Sequence, residues 1–359
     1  MRIAFYAPMK PPGHPVPSGD RAMARMLIRA LEMAGHDVTL VSELRVFLRA
    51  ADAGLLAPFE AQAAAERLRI ATRWHDGGVP DLWLCYHPYY KSPDLIGPPL
   101  AREFGIPYLT VESSWSRRRN LGDWARAQDL VLAGLEQAAL NISVTARDAQ
   151  GLAEGCPEAR IARLPPFIDA DPFAAPPAPQ PGHFVTAAMM RPGDKLSSYL
   201  ALAKALALVP GDWRLSIAGD GPARPEVEAA FAPLAGRVSF LGQLDRPGLA
   251  ALFAQGWLYL WPGHAEAYGL AALEAQAAGL PVISEETAGT PEVVENGRTG
   301  LLTPARDTVA FARAIAALAF DAPRRADMAA AARRFARGDR GLDTASRRLD
   351  TLLQKALRP

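Results

Sequence analysis

The chain has 359 residues, half of them hydrophobic, with 39 Lys and Arg against 38 Asp and Glu. That length exceeds one ordinary core and suits two domains, and a formal net charge of +1 argues against nucleic acid as a partner, which leaves a basic footprint. No run of about 18 apolar residues is free of charges, so no membrane-spanning helix is predicted and any membrane contact is expected to be peripheral. The N-terminal apolar run is too short for a signal peptide. Cys85 and Cys156 match no metal or redox spacing and read as reduced thiols of a cytoplasmic protein.

Ile3 to Ala7 reads as a buried strand, followed by a Pro/Gly-rich loop from Pro8 to Gly19. Met23, Met26, Leu27, Ala30 and Leu31 then recur at helical spacing, and Gly35 ends that helix. Further strands are expected at 38–41, 82–85, 108–111 and 141–144, with helical segments between them. The stretch 169–182 carries five prolines and almost no pattern, which reads as a semi-rigid linker. A second series of strands follows at 184–188, 215–218, 238–241, 258–261 and 281–284. The reading is α/β: two doubly wound parallel sheets, residues 1–168 and 183–335, facing a ligand cleft. Leu342, Ala345, Leu349, Leu352, Leu353 and Ala356 mark one stripe of a tail helix within 336–359.

The segment from Trp261 to Pro304 is the most informative. A strand ends at Trp261, a loop follows, and a helix is expected to open near Tyr268 and to stop before Gly279 and Pro281. Glu266 lies in the loop, where open α/β sheets bind ligands. Glu274 shares a helical stripe with Leu270, Leu273 and Ala277 and needs partners if it is buried. The amides of Tyr268, Gly269 and Leu270 could hold a diphosphate at the helix N-terminus, with Gly269 letting the backbone come close. On spacing alone, a solvated loop charge at Glu266 and a capped surface residue at Glu274 weigh equally.

The run Pro262-Gly263-His264-Ala265-Glu266-Ala267-Tyr268-Gly269-Leu270, with Glu274 separated from Glu266 by seven residues, resembles the Pro-Ser-x-x-Glu-x-Phe-Gly-Leu…Glu signature of the family 4 glycosyltransferases, also called glycosyltransferase group 1. The likeness continues through Ala277-Ala278-Gly279-Leu280-Pro281-Val282, Ala288-Gly289-Thr290-Pro291-Glu292-Val293-Val294 and Gly297-Arg298-Thr299-Gly300-Leu301-Leu302. Gly263 replaces the usual Ser, and Ala288 the first Gly. Upstream, Met190-Arg191-Pro192-Gly193-Asp194-Lys195 resembles the family's Gly-Arg-(loop)-Lys segment. Gly219-Asp220-Gly221-Pro222 matches its Gly-x-Gly-Pro turn and reads as turn chemistry.

The N-terminal half resembles the family's acceptor domain more loosely. Gly35-His36-Asp37-Val38 matches the start of its second strand, and Gly19 alone carries over from its Gly-Gly-x-Glu loop. Where the family often has a His, this chain has Glu112-Ser113-Ser114-Trp115, which makes Glu112 and the nearby His87 acceptor-side candidates. A lone His is more often structural. Arg117, Arg118 and Arg119 beside Trp115 suit an anionic acceptor, and equally read as a solvated charge run. Asp169-Ala170-Asp171 looks like a metal motif but falls in the linker. His14, His75 and His183 are scattered, so no metal is expected.

The resemblance implies a GT-B fold and transfer of a sugar from a nucleotide-sugar donor, with retention at the anomeric carbon. Glu266 would hold hydroxyls of the sugar and Glu274 the ribose, while Arg191 and Lys195 would stabilise the departing diphosphate. No cofactor is implied, since the nucleotide sugar is a substrate. An unidentified sugar or lipid-linked acceptor in cell-surface glycan or glycolipid synthesis is implied, and the tail helix would cross back to the first domain. The rivals are an epimerase or phosphorylase on the same fold and a catalytically silent sugar- or nucleotide-binding protein.

Overall fold

The computed structural model describes residues 1–16, 18–119 and 122–357. The chain divides into two compact units, Met1–Pro165 with Leu342–Pro359, and Pro166–Gly341.

In the first unit the elements are β1 (Arg2–Tyr6), α1 (Gly19–Met33), β2 (Asp37–Ser42), α2 (Ala57–Gly77), β3 (Leu82–Tyr86), α3 (Gly97–Glu103), β4 (Tyr108–Val111), α4 (Ala125–Gln137), β5 (Leu140–Ser143), α5 (Ala146–Gly155) and β6 (Ile161–Arg163). The strands pair in parallel in the order β2-β1-β3-β4-β5-β6. β3 and β4 are buried along their whole length, as strands covered by helices on both faces must be. Trp83 lies at the centre of this core, edge-on to Tyr6 at 5.9 Å and to Trp74 at 6.2 Å.

The second unit runs β7 (His183–Ala187), α6 (Asp194–Leu206), β8 (Arg214–Ala218), α7 (Arg224–Phe231), β9 (Val238–Gly242), α8 (Arg246–Gln255), β10 (Leu258–Leu260), α9 (Leu270–Ala277), β11 (Val282–Glu285), β12 (Gly300–Thr303), α10 (Thr308–Ala319) and α11 (Ala322–Arg334). Its sheet order is β12-β11-β10-β7-β8-β9, all parallel. After a π-helical turn at Phe335–Asp339, α12 (Leu342–Leu357) ends the chain.

In each sheet the strand order reverses once, between β1 and β3 and between β7 and β10. Those are the places where open α/β sheets bind ligands, at the carboxyl ends of the strands.

The stretch 169–182, read from the sequence as a semi-rigid linker, packs along the second unit. Phe173 is 1 % exposed and stacks on Phe253 of α8 at 6.0 Å. Ala178 N–H donates to Ala254 O at 2.8 Å and Gln180 N–H to Gln255 O at 3.0 Å. Its prolines remove donors without disturbing this path, since Ala178 and Gln180 supply the N–H groups. The tail helix starts at Leu342, not near residue 336, and belongs to the first unit, where Ser346 Oγ donates to Ala30 O of α1 at 2.7 Å.

Candidate functional site

β7 delivers the chain to a loop whose shape is set by the neighbouring turn. Gly219 and Gly221 have φ of +146° and +152°, and a Cβ on either would lie 1.9 Å from Ala188 O or 2.3 Å from Met190 O. Only glycine can sit there. Met190 N–H donates to Asp220 O at 2.9 Å and Ala223 N–H to Met190 O at 2.9 Å. The turn thus shapes the loop 188–193, which leads directly into the first turn of α6 and Lys195.

Lys195 meets Glu266 from the loop after β10. Its Nζ pairs with Glu266 Oε2 and stands 5.3 Å from the centre of the Trp261 ring. Trp261 Nε1 donates to the same carboxylate oxygen at 3.1 Å. Trp261 is itself held edge-on by Tyr199 at 4.9 Å, and Tyr199 OH donates to Ala188 O at 2.7 Å. Two donors converge on one oxygen of a carboxylate that keeps 18 % of its side chain exposed. An ion pair of this kind, flanked by an indole, can present both a cation and an acceptor to a ligand.

The loop that carries Glu266 has a constrained backbone. Gly263 and Gly269 have φ of +78° and +73°, and Ala265, a non-glycine, has +50°. At Gly263 a Cβ would come within 2.9 Å of Thr290 Cγ2, so the Ser that the family usually carries has no room. α9 opens at Leu270 with Gly269 as its N-cap, two residues later than expected, and Tyr268 is buried before it at 5 % exposure. The left-handed Gly269 ends the loop so abruptly that Tyr268 cannot be helical.

Glu274 on α9 is half-buried, its carboxylate 3.6 Å from Arg246 of α8. Burial pushes its pKa up to about 7, against the opposing charge of Arg246. The same guanidinium lies 4.0 Å from Asp169, so the Asp169-Ala170-Asp171 run serves packing near α8. Arg191 is exposed, with no side-chain ion pair among the described residues.

The first unit assembles a second cluster at its own reversal point. His87 follows β3, Glu112 follows β4, and Asp20 lies beside Gly19 in the first turn of α1. His87 Nδ1 is 3.2 Å from Asp20 Oδ1 and 3.9 Å from Glu112 Oε1, and Tyr86 OH donates to Glu112 Oε2 at 2.9 Å. His87 and Glu112 have φ of +58° and +60°, a left-handed conformation that non-glycine residues adopt at a cost. Burial works to lower the His87 pKa, but the Glu112 carboxylate and the hydrogen bond to Asp20 outweigh it and push it up to about 9. Burial pushes Glu112 up to about 7, opposed by His87. Burial also acts to raise Asp20, yet His87 holds it below the usual carboxylate range.

The sequence reading named His87 and Glu112 separately and missed Asp20. Its signal was faint, an Asp directly after the glycine that opens α1. Trp115, like Ile161, packs against the cluster Val131, Leu135 and Leu152, and Gly155 leaves room for its ring. Arg117 and Arg118 are exposed on a 3-10 turn, and the side chain of Arg119 lies outside the described residues. Among the described residues no group of three or more His, Cys, Asp or Glu could hold a metal ion, and no helix is long and apolar enough to cross a membrane.

Several known proteins are similar to this chain. A D-inositol 3-phosphate glycosyltransferase of Xylanimonas cellulosilytica is 27% identical over 334 residues, covering 85% of this chain and 78% of that protein. Its counterpart from Kribbella flavida is 38% identical over 123 residues, 33% of this chain and 29% of its own length. Among solved structures, sucrose-phosphate synthase from Thermosynechococcus elongatus superposes with a TM-score of 0.77 at 20% identity, over 99% of this chain and 98% of that one. Anabaena HepE, solved in complex with UDP, gives 0.75 at 17% identity over 99% and 100%. The chain has the GT-B fold, and its residues 183–321 match the glycosyl transferases group 1 family.

Proposed function

We propose that the protein transfers a glycosyl group from a nucleotide-sugar donor, with retention of the anomeric configuration. The observation that carries this is the Lys195–Glu266–Trp261 constellation at the β7/β10 reversal point, inside the segment that matches group 1 glycosyltransferases. Glu266 accepts hydrogen bonds from the sugar, Glu274 from the ribose, and Lys195 with Arg191 stabilises the diphosphate as it departs. The amides of Gly269 and Leu270 complete the phosphate surroundings. UDP is the nucleotide to test first, because a structural neighbour was solved with it.

His87, Asp20 and Glu112 are the acceptor-side group in this reading, and positioning plus electrostatics supply most of the rate. Arg117 to Arg119 serve an anionic or lipid-linked acceptor at a membrane surface, on a pathway to glycolipid or cell-surface glycan. Lys195 and Arg191 already offset the diphosphate charge, so turnover should survive EDTA. Loss with EDTA that magnesium or manganese restores would remove that part of the proposal.

The test is UDP release from UDP-glucose and other nucleotide sugars, with and without candidate acceptors. Glu274→Ala should weaken UDP binding itself, and Glu266→Ala should mainly lower turnover. Two variants that bind and turn over like the parent would sink the assignment. Release of a sugar 1-phosphate or of an epimerised nucleotide sugar would point to a phosphorylase or an epimerase, and binding of nucleotide with no turnover to a silent binding protein.

A further inference from the structure

The two segments that bring Lys195 and Glu266 together are joined a second time by side chains to which the proposed roles assign nothing. Ser197 is two residues from Lys195 on α6, and His264 is two residues from Glu266 in its loop. His264 is 6 % exposed and Glu285, at the end of β11, is 2 % exposed. His264 Nδ1 is 2.8 Å from Ser197 Oγ, and His264 N–H donates to Ser198 Oγ at 3.0 Å. Ser198 Oγ in turn donates to Asp194 O at 2.9 Å, beside Lys195. On its other edge, His264 Nε2 is 3.2 Å from Glu285 Oε2 without completing a hydrogen bond. That oxygen accepts Arg306 N–H at 2.8 Å.

An imidazole and a carboxylate at this depth are costly unless they are paired. Apolar side chains would fill the same volume more cheaply, but without fixing one arrangement. This loop needs such fixing, since left-handed Gly263 and Ala265 flank His264 and strained backbone persists only where its surroundings over-determine it. A reacting group must also be held within about 0.5 Å of its working place. We infer that His264 is a positioning residue: with Ser197, Ser198 and Glu285 it latches the Glu266 loop to the first turn of α6 and the end of β11, and it acts on transfer through Glu266. The inference rests on the glycosyl-transfer reading of Glu266 and Lys195.

The latch is tested with His264→Ala, His264→Gln and the milder Ser197→Ala. UDP affinity, kcat and KM with UDP-glucose, and hydrogen exchange resolved by segment are the measurements. His264→Ala should lower kcat about tenfold or more while UDP affinity stays within about threefold, and should speed exchange in 194–199 and 262–269. Gln, which can reach one of the two partners, should restore part of kcat. Ser197→Ala should shift kcat and exchange in the same direction by less. A kcat within about twofold of the parent, or a loss that follows falling UDP affinity and global unfolding in all three variants, would overturn it. If the parent releases nothing from UDP-glucose, that failure belongs to the transfer reading with this donor. The latch is then decided by exchange alone, and unchanged exchange in both segments of His264→Ala refutes it.

Discussion

Lys195 and Glu266 are each other's partner, so a diphosphate that recruits Lys195 must share it with a carboxylate. Glu266→Gln leaves the lysine less neutralised, and the expected result is UDP binding that is unchanged or tighter by a few-fold, with turnover lower by about a hundredfold. Isothermal titration set beside initial rates checks the split, and weaker UDP binding would contradict it. Glu274 behaves differently, because its pKa is raised to about 7 by burial. In the folded state it holds a proton that the unfolded chain releases near 4.5, so it costs stability as pH rises through 7. Glu274→Gln should therefore raise thermal stability at pH 8 by about 1–2 kcal/mol, do so less at pH 6, and weaken UDP binding at both. A variant less stable than the parent at pH 8 would show that the Arg246 contact outweighs the burial.

The His87 cluster gives a second pH test with the same sign. Its raised pKa of about 9 means a stabilisation fully present below about 6.5 and lost as pH rises to 9. Glu112, raised to about 7, adds a loss between about 4.5 and 7. Glu112→Gln removes both the second titration and the largest charge holding the proton on His87. The melting temperature of the parent should fall from pH 6 to 9 and that of the variant should fall less. Two parallel curves would mean the cluster does not titrate as its geometry implies.

At the scale of elements, the loop between β10 and α9 shows how local backbone overrides a family pattern. Gly263→Ser would restore the residue that the resembled signature usually has, yet φ is +78° and a Cβ would meet Thr290 Cγ2 at 2.9 Å. The substitution should destabilise by about 1–3 kcal/mol and lower turnover by displacing Glu266, as thermal melts and rates would show. A neutral Gly263→Ser would mean that Thr290 yields more readily than its buried position suggests. The sheets themselves were legible in the sequence because β1, β3, β4, β7 and β10 are short, mostly apolar runs with a Gly or Pro within two residues of one end. β6 and β12 were not, since Ile161-Ala162-Arg163 is too short to show a period and Gly300–Thr303 sits inside a glycine-rich motif. The same limit applies to the candidate site. Glu266 and Lys195 were singled out by the family resemblance and not by spacing alone, while the neighbours of Asp20 and Trp115 depend on which strand ends come together, and pairing order is not written in any single segment.

For the whole molecule, the division into two units has a consequence for how damage spreads. α12 closes the first unit although it follows the second in the chain. Leu349 and Leu353 are 0 % exposed, Ser346 bonds to α1, and Asp350 stands 3.2 Å from His36 at the start of β2. Arg191, Lys195, Glu266 and Glu274, proposed above for the donor site, all belong to the other unit. Leu349→Ala should cost about 2–5 kcal/mol, and the loss should fall on the first unit. Segment-resolved hydrogen exchange should then show faster opening of β1, α1 and α12, with β7, β10 and α9 unchanged. On the proposed donor site, adding UDP at about 100 times its Kd should protect the second unit by about 2.7 kcal/mol in variant and parent alike, since a ligand of the folded state stabilises it. If Leu349→Ala loosened α9 and β10 as much as α1, the two units would unfold as one body, and the donor site would depend on the tail helix for its stability.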